Sequence, residues 1–124
     1  MIIFVERKIL RQRADQCPII FPPSNTTFGG KKNEGIKIIE FAGLGPTPFA
    51  AMTLADMGAN VLRIQRPNLP HLMKLDYDIL NRGRAFVELD LKNVSDLETV
   101  KILLASADAV IEGMRPGVME RLGL

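Results

Sequence analysis

A strand–turn–helix–strand pattern in the first half of the chain constrains the fold more than any other part of the sequence. Residues 36–41 are nearly continuous in β-branched and apolar side chains, which is typical of a parallel strand covered on both faces. A glycine- and proline-rich turn over 42–48 follows, then a helical stretch over 49–57 and a second apolar strand over 61–64. This order predicts a βαβ unit whose turn lies at the carboxyl end of the first strand, where open α/β sheets bind ligands.

The same alternation of strands and helices continues to the end of the chain. Further strands are predicted over 85–89 and 108–112, and a short helix begins at Pro116 and ends at Gly123. The helix between those strands has one apolar face, formed by Leu97, Val100, Leu103, Leu104 and Ala107. The predicted class is therefore α/β, with a largely parallel sheet and flanking helices.

Local residue types also predict where helices begin and end. Thr47 is expected to cap the first helix, with Pro48 in its first turn, where a missing N–H is tolerated. Gly58 is expected to end that helix in the left-handed conformation. Ser95 and Glu98 have the spacing of a capping box at the start of the next helix.

Residues 1–34, here called the leader, differ in composition from the folded part, 35–124. A short basic helix in the leader would indicate a mitochondrial targeting segment, but Glu6 and Asp15 disfavour it because such segments are poor in acidic residues. The proline- and glycine-rich stretch over 17–32 instead favours a flexible extension.

Charge and composition exclude some classes of function. Of the 124 residues, 47% are apolar and 24% charged, as in ordinary globular proteins. The leader carries six basic and three acidic residues and 35–124 carries ten and eleven, so the net charge of +2 is the sum of +3 in the leader and −1 in the folded part. The nearly neutral folded part does not fit nucleic-acid binding. No apolar run approaches the roughly 20 residues of a membrane span, so we expect no membrane partner.

The turn from Gly43 to Pro48 partly matches the dinucleotide-binding fingerprint. Its third glycine position is occupied by Pro48, although that position needs a small residue for close packing of helix on strand. A Gly-Lys-Ser/Thr sequence is missing, which excludes a P-loop. A turn that contacts a nucleotide and a purely structural turn therefore both remain open.

Basic residues follow the predicted strands. They are Arg63, Arg66, Lys92, Arg115 and, in the closing helix, Arg121. Because parallel strand ends meet at one edge of a sheet, these residues could form a phosphate-binding cluster. The alternative is a solvated rim of ion pairs with Asp90, Glu112 and Glu120.

Candidate catalytic residues are few. His71 is the only histidine, and no acid–base pair or metal-ligand spacing can be assembled around it. Asp76 and Asp78 lie in an irregular segment that fixes no geometry. The lone Cys17 excludes an internal disulfide, fits a reducing compartment and has no neighbouring base. We therefore expect no catalytic group and no metal site in this chain.

Three blocks carry a resemblance to a known family. They are 35–67 with its Gly-Leu-Gly-Pro turn, 81–92 with Asn-Arg-Gly-Arg and Leu-Asp-Leu-Lys, and 111–124 with Gly-Met-Arg-Pro-Gly-Val-Met-Glu-Arg-Leu-Gly-Leu. In these blocks the chain resembles the class III CoA-transferase family and, within it, the alpha-methylacyl-CoA racemases. Gln65 departs from the acidic residue that the family usually has before the Arg-Pro pair, and the leader falls outside the resemblance.

The resemblance implies a Rossmann-like large domain, interlocked homodimers and an acyl-CoA thioester as substrate. It implies no separate cofactor, because CoA is part of the substrate. By the match, Arg66 should contact the adenosine-phosphate part of CoA. The residues that should line its nucleotide pocket are Leu89, Asp90, Leu91 and Lys92, and the further contacts are Leu44, Arg115 and Arg121.

The racemase reaction inverts the carbon alpha to the thioester through an enolate, which requires a base, an acid and oxyanion donors. The resemblance assigns base and acid to a His and an Asp beyond the last block, and His71 does not align with that histidine. We therefore expect the N-terminal CoA-binding part of a larger domain, inactive alone. The alternatives are a CoA-transferase with an Asp nucleophile and a truncated isoform that binds CoA or the full-length subunit.

The resemblance also bears on metabolism and compartment. It implies an isomerase of fatty acid metabolism, located in the peroxisome or mitochondrion of a eukaryote or in the cytoplasm of a bacterium. A parallel sheet of this size would leave a strand edge open, which supports the expectation that more of the domain follows.

Overall fold

The fold is taken from a computed structural model, which describes residues 2–3, 36–68 and 79–124. Its elements in chain order are β1 (Ile2–Ile3), β2 (Lys37–Phe41), α1 (Pro46–Asp56), β3 (Asn60–Gln65), β4 (Ala85–Glu88), α2 (Val94–Ser106), β5 (Ala109–Ile111) and α3 (Val118–Leu122). The rest of the leader lies outside the described residues, so its flexibility stays a prediction. The interpretations of Cys17, His71, Asp76 and Asp78 also lie outside them.

The five strands form one sheet in the order β1-β5-β2-β3-β4. The four longer strands run parallel, and Ile39 of β2 lies opposite Leu62 of β3 on one side and Val110 of β5 on the other. β4 pairs with the far side of β3, and β1 adds to β5 in the antiparallel direction, with Ile2 opposite Ile111. The prediction of an α/β fold with a largely parallel sheet is confirmed.

The helices cover the two faces of the sheet with different side chains. On the α2 face, α2 packs into an apolar core formed by Ile39, Phe41, Leu62, Ile64, Leu89, Val100, Leu103, Leu104, Ala107 and Val110. On the α1 face, α1 packs into a core of smaller side chains, formed by Ile38, Ala51, Ala55, Ala59, Val61, Ala109 and Ile111. Because side chains alternate along a strand, Glu40 lies on the α1 face with Ile38.

The start of α1 differs from the prediction. The helix begins at Pro46, and the preceding Gly45 has a φ of +75° and makes no side-chain hydrogen bond. Pro46 suits the first helical position because the N–H that it lacks would have no partner there, and glycine adopts positive φ without strain. Thr47 lies inside the first turn with its side chain buried. The prediction of Thr47 as the cap is therefore wrong.

The start of α2 also lies earlier than predicted. Asn93 caps the helix, and its side-chain oxygen accepts from the N–H groups of Ser95 at 2.9 Å and Asp96 at 3.4 Å. Asn93 is as good a cap as serine and comes first in the chain, so the predicted capping box at Ser95 is wrong. At 13 residues α2 is the longest described helix, and none of the described helices could cross a membrane.

Candidate coenzyme-binding site

The carboxyl ends of the four parallel strands lie along one side of the sheet, here called the carboxyl edge. In spatial order it carries the segment 112–116 after β5, the turn 42–45 after β2, Arg66 after β3 and the segment 89–92 after β4. Neighbouring strands are about 4.8 Å apart. Arg66 therefore lies beside the segment 89–92, with the turn 42–45 on its other side.

The segment 89–92 is held by hydrogen bonds to its neighbours. The Leu89 N–H donates to the Gln65 carbonyl at the end of β3 (2.8 Å). The Asp90 N–H donates to the carboxylate of Asp96 in α2 (2.8 Å), and the Asp90 carboxylate accepts from the Lys92 N–H (3.0 Å). These bonds fix the backbone of the segment and leave the side chain of Lys92 exposed.

The two leucines of this segment differ from its polar residues. Leu89 is buried in the core of the α2 face, and Leu91 packs against that core. Their side chains support the segment from the protein interior, whereas Asp90 and Lys92 are exposed at the carboxyl edge. The pocket-lining role of all four residues stays a prediction.

Arg66 is exposed and directly follows Gln65, whose side chain bridges two charged residues. Arg63 donates to Gln65 Oε1 (2.7 Å), and Gln65 Nε2 donates to the carboxylate of Glu88 on β4 (3.1 Å). An acidic residue at position 65 has no N–H to donate and would place a second negative charge opposite Glu88. The Gln65 amide therefore suits the residues around it better than the acidic residue that the resemblance leads one to expect there.

The first turn of α1, which follows the turn 42–45, packs against the end of β5. A Cβ on Gly113 would lie 2.3 Å from Thr47 Oγ1, so glycine is needed at this close approach. The same contact holds the first turn of α1 in place over the sheet edge. Leu44, at the tip of the turn, is 72% exposed and lies beside the strand end that carries Arg66.

Arg115 and Arg121 lie at the β5 end of the carboxyl edge. The carboxylate of Glu112 accepts from the Met114 N–H (2.7 Å), which fixes the backbone immediately before Arg115. Arg121 lies in α3, and both arginines are exposed. This end of the edge therefore presents two guanidinium groups on a short, hydrogen-bonded loop and the helix that follows it.

The sheet order separates the basic residues into two groups. Arg66 and Lys92 follow adjacent strands, whereas Arg115 and Arg121 lie in the loop and helix that follow β5, a strand about 14 Å from β4 by strand spacing. The ion pairs within 36–68 and 79–124 are Arg82–Asp56, Arg84–Glu40 and Lys101–Glu98. None of these three pairs involves Arg66, Lys92, Arg115 or Arg121. Over the same ranges, no three His, Cys, Asp or Glu residues lie close enough to hold a metal ion.

Sequence reasoning missed a buried ion pair between Glu40 and Arg84, whose side chains are 0% and 1% exposed. Arg84 also donates to the Leu80 carbonyl and to Asn81 Oδ1. Burial raises the pKa of Glu40 above its ordinary value, and the positive charges of Arg84 and Arg63 offset this shift only in part. The sequence did offer one signal for this pair, because an acidic residue at an inward-facing position of an apolar strand needs a buried partner.

Comparison with known proteins places this geometry in a family. CoA-transferase family III matches residues 34–124. A CaiB/baiF CoA-transferase family protein of Caenorhabditis elegans is 42% identical over 90 residues, which cover 73% of this chain and 25% of the relative. Human alpha-methylacyl-CoA racemase is 41% identical over 91 residues (73% and 23%), and formyl-CoA:oxalate CoA-transferase of Rhodopseudomonas palustris is 29% identical over 104 residues (75% and 24%). The chain spans about a quarter of the length of these curated relatives.

Two solved structures share the fold. A hypothetical protein of Mycobacterium tuberculosis matches with a TM-score of 0.68 and 31% identity, over 76% of this chain and 28% of the other. A CAIB/BAIF family protein of Brucella suis matches with a TM-score of 0.62 and 28% identity, over 73% and 28%. With the family match covering 34–124 and the fold in agreement, this chain belongs to CoA-transferase family III.

Proposed function

We propose that the carboxyl edge binds the CoA part of an acyl-CoA thioester. The observation that carries the proposal is the adjacency of exposed Arg66 to the hydrogen-bonded segment 89–92, in a family whose relatives are named for CoA substrates. CoA is a polyanion, and guanidinium groups bind phosphate oxygens through paired donors. Arg66 contacts the adenosine-phosphate part, and Asp90 and Lys92 contact polar groups of the nucleotide.

The remaining predicted contacts extend this site along the edge. Leu44, which is exposed at the tip of the turn 42–45, supplies an apolar contact beside Arg66. Arg115 and Arg121 supply positive charge at the β5 end. CoA enters as part of the substrate, so the proposal includes no separate cofactor.

Calorimetric titration of the 124-residue chain with CoA tests this site. Arg66→Gln should weaken CoA binding by roughly ten- to a hundredfold, because charge-assisted hydrogen bonds to phosphate are lost. The matched control is Lys101→Gln, which removes a positive charge from the exposed Lys101–Glu98 pair on α2 and should change affinity less than about twofold. A folded chain that does not bind CoA would contradict the proposal.

A second ligand locates the contact of Arg66. Coenzyme A without its ribose phosphate should bind the unaltered chain more weakly than intact CoA does. If Arg66 contacts that phosphate, the Arg66→Gln variant should bind CoA with and without the ribose phosphate almost equally well. The reason is that loss of the phosphate and loss of the guanidinium remove the same interaction. Independent, additive losses would place Arg66 on another part of the ligand.

For the reaction, we propose a racemase-like role in fatty acid metabolism, supported by 41% identity to human alpha-methylacyl-CoA racemase. Epimerisation needs a base and an acid on opposite faces of the carbon alpha to the thioester. The chain has one histidine, His71, and by the resemblance it is not the histidine to which the family's catalytic role is assigned. We therefore expect the isolated chain to bind CoA without epimerising. Incubation with one 2-methylacyl-CoA epimer, followed by the epimer ratio, checks this, and turnover above buffer would refute it.

CoA transfer between carboxylates is the second candidate, supported by the similarity to formyl-CoA:oxalate CoA-transferase. Incubation with an acyl-CoA and a free carboxylate distinguishes it, because a transferase forms a new thioester whereas a racemase changes only the configuration. A non-catalytic chain that pairs with a longer subunit is the third candidate, and co-purification of the two tests it. Homodimers and a peroxisomal, mitochondrial or bacterial cytoplasmic location stay predictions of the resemblance.

A further inference from the structure

Burial of the Glu40–Arg84 pair costs free energy of desolvation, and neither residue is among the proposed coenzyme contacts. Both side chains are buried, and Glu40 Oε1 and Arg84 Nε have no hydrogen-bond partner. A buried ion pair with unsatisfied atoms contributes little or no net stability compared with apolar residues of similar size. Its presence therefore suggests a role in selecting one arrangement of the chain.

The pair connects β2 to the start of β4 across the strand between them. Arg63 of β3 lies opposite Glu40 on one side and opposite Phe86 of β4 on the other, so the Arg84 side chain reaches over β3 to contact Glu40. In the same turn, Arg82 pairs with Asp56 of α1 at 2.5 Å. The turn 79–84 is thus tied both to the sheet and to α1.

β4 is held at its carboxyl end by the buried Leu89, whose N–H donates to the Gln65 carbonyl, and at its amino end by the Glu40–Arg84 pair. It is the four-residue edge strand of the described sheet and pairs only with β3. Ala85 and Val87 are only half-buried where they pack against the core of the α2 face, and Phe86 and Glu88 are exposed, so burial within β4 selects its register less strongly than in the fully buried strands. Edge strands with weakly differentiated faces are prone to slip.

We propose that the Glu40–Arg84 pair fixes the register of β4 and thereby positions the segment 89–92 for CoA. Glu40 and Arg84 are positioning residues, and this inference rests on the proposed CoA site. A slip of one residue would displace the segment by about 3.3 Å and turn every side chain of β4 to the opposite face. Leu89 would then leave the core, and Lys92 would lose its place beside Arg66.

Three variants of the full chain test the inference. Arg84→Met removes the charge that contacts Glu40 and keeps an unbranched side chain. Arg82→Met is the matched control, since it removes the same charge from the same turn but breaks a half-exposed pair. The double variant Glu40→Leu/Arg84→Met replaces both buried charges by apolar groups, so it should fold even if Arg84→Met does not.

The measurements are CoA affinity by calorimetry, the urea unfolding midpoint and amide exchange over 85–92. Arg84→Met should bind CoA roughly tenfold or more weakly, since a site that is about 1 Å too loose loses its function, whereas Arg82→Met should stay within about twofold. The double variant should recover the unfolding midpoint and still bind weakly, with faster exchange over 85–92. Recovery of both stability and affinity in the double variant, or unchanged affinity in folded Arg84→Met, would overturn the inference.

The two proposals fail in distinguishable ways. If the unaltered chain does not bind CoA, the proposed function fails, and amide exchange alone decides the role of the pair. Faster exchange over 85–92 in the double variant, with no change in Arg82→Met, then supports control of register by Glu40 and Arg84. Equal amide exchange over 85–92 in the unaltered chain, Arg82→Met and the double variant overturns it.

Discussion

The α2 face and the α1 face of the sheet bury their side chains in different ways. The α2 face holds ten buried apolar residues, among them Phe41 and Leu103. The α1 face holds seven mostly small ones, and beside them lies the buried Glu40–Arg84 pair. Further along the α1 face, Phe86 is 58% exposed, with the Arg63 guanidinium 5.7 Å above its ring.

The two faces therefore contribute differently: the α2 face mainly stabilises the fold, and the ion pair on the α1 face mainly selects one arrangement of the strands. Apolar burial on the α2 face stabilises the fold without directional bonds, and it tolerates several arrangements of similar volume. The ion pair on the α1 face contributes less stability, but its directional hydrogen bonds connect β2 with the turn 79–84, which directly precedes β4. We therefore expect changes on the α2 face to alter mainly the free energy of unfolding, and changes to the pair to alter the position of β4 as well.

The largest expected effect comes from breaking the buried pair on one side only. Glu40→Leu leaves the Arg84 guanidinium buried without a counter-charge and should lower the free energy of unfolding by roughly 3–5 kcal/mol, measured in urea at pH 7. Glu98→Leu breaks the exposed pair with Lys101 and should cost about 0.5 kcal/mol or less. Equal losses in the two variants would mean that the Glu40–Arg84 pair behaves as a surface pair, and the contrast between the faces would disappear.

A cavity on the α2 face should have the next largest effect. Leu103 is 1% exposed, and Leu103→Ala should cost about 3 kcal/mol through lost burial and an unfilled void. Leu54→Ala makes the same change at a half-buried position on the α1 face and should cost about 1 kcal/mol, because less surface is exposed and the site is open to relaxation. Thermal or urea unfolding of both variants checks the ratio, and a larger loss for Leu54→Ala would reverse the comparison.

A smaller effect is expected where α1 approaches β5. Gly113→Ala places a methyl group 2.3 Å from Thr47 Oγ1 and should cost about 1–3 kcal/mol through overpacking. At Gly43 the nearest atoms lie 3.8–3.9 Å from an added Cβ, so Gly43→Ala should be nearly neutral. The double variant Gly113→Ala/Thr47→Ala should cost less than Gly113→Ala, since the oxygen in the clash is gone. If the losses in unfolding free energy from Gly113→Ala and Thr47→Ala simply add in the double variant, the contact between these two residues is not the cause of the loss in Gly113→Ala.

The fold of this chain can be predicted well from the sequence because local patterns of apolar residues determine its strands and helices. The nearly continuous apolar strand over 36–41 and the periodic face of the α2 helix both predict burial, and the structure buries Ile38, Ile39 and Phe41 of the strand and the central residues of that helix face. Helix starts were predicted less well, because several neighbouring residues can each cap a helix. The helix α2 is capped by Asn93 and not by Ser95, and α1 begins at Pro46 after Gly45, one residue before Thr47.

The candidate site could be predicted only at the level of strand ends. The positions of Arg66 and Lys92 follow from parallel pairing, which brings consecutive strand ends together. The separation of Arg115 from them depends on the order β5-β2-β3-β4, which no local pattern encodes. The Glu40–Arg84 pair joins residues 44 apart in the chain, so its partners become visible only in three dimensions.

The smallest expected effect is the pH dependence that Glu40 contributes. Its pKa in the folded chain is raised by burial above the value of roughly 4.3 in an unfolded chain, so the folded state binds the proton more tightly. Stability should therefore fall as pH rises through the interval between the two pKa values, by about 1.4 kcal/mol for each pKa unit between them, and level off once folded Glu40 is ionised. The difference in unfolding free energy between the unaltered chain and Glu40→Gln, measured in urea from pH 4 to 8, isolates this contribution. A difference that instead grows with pH would mean that attraction to Arg84 outweighs the cost of burying the carboxylate, and the α1 face would then gain stability from the pair at neutral pH.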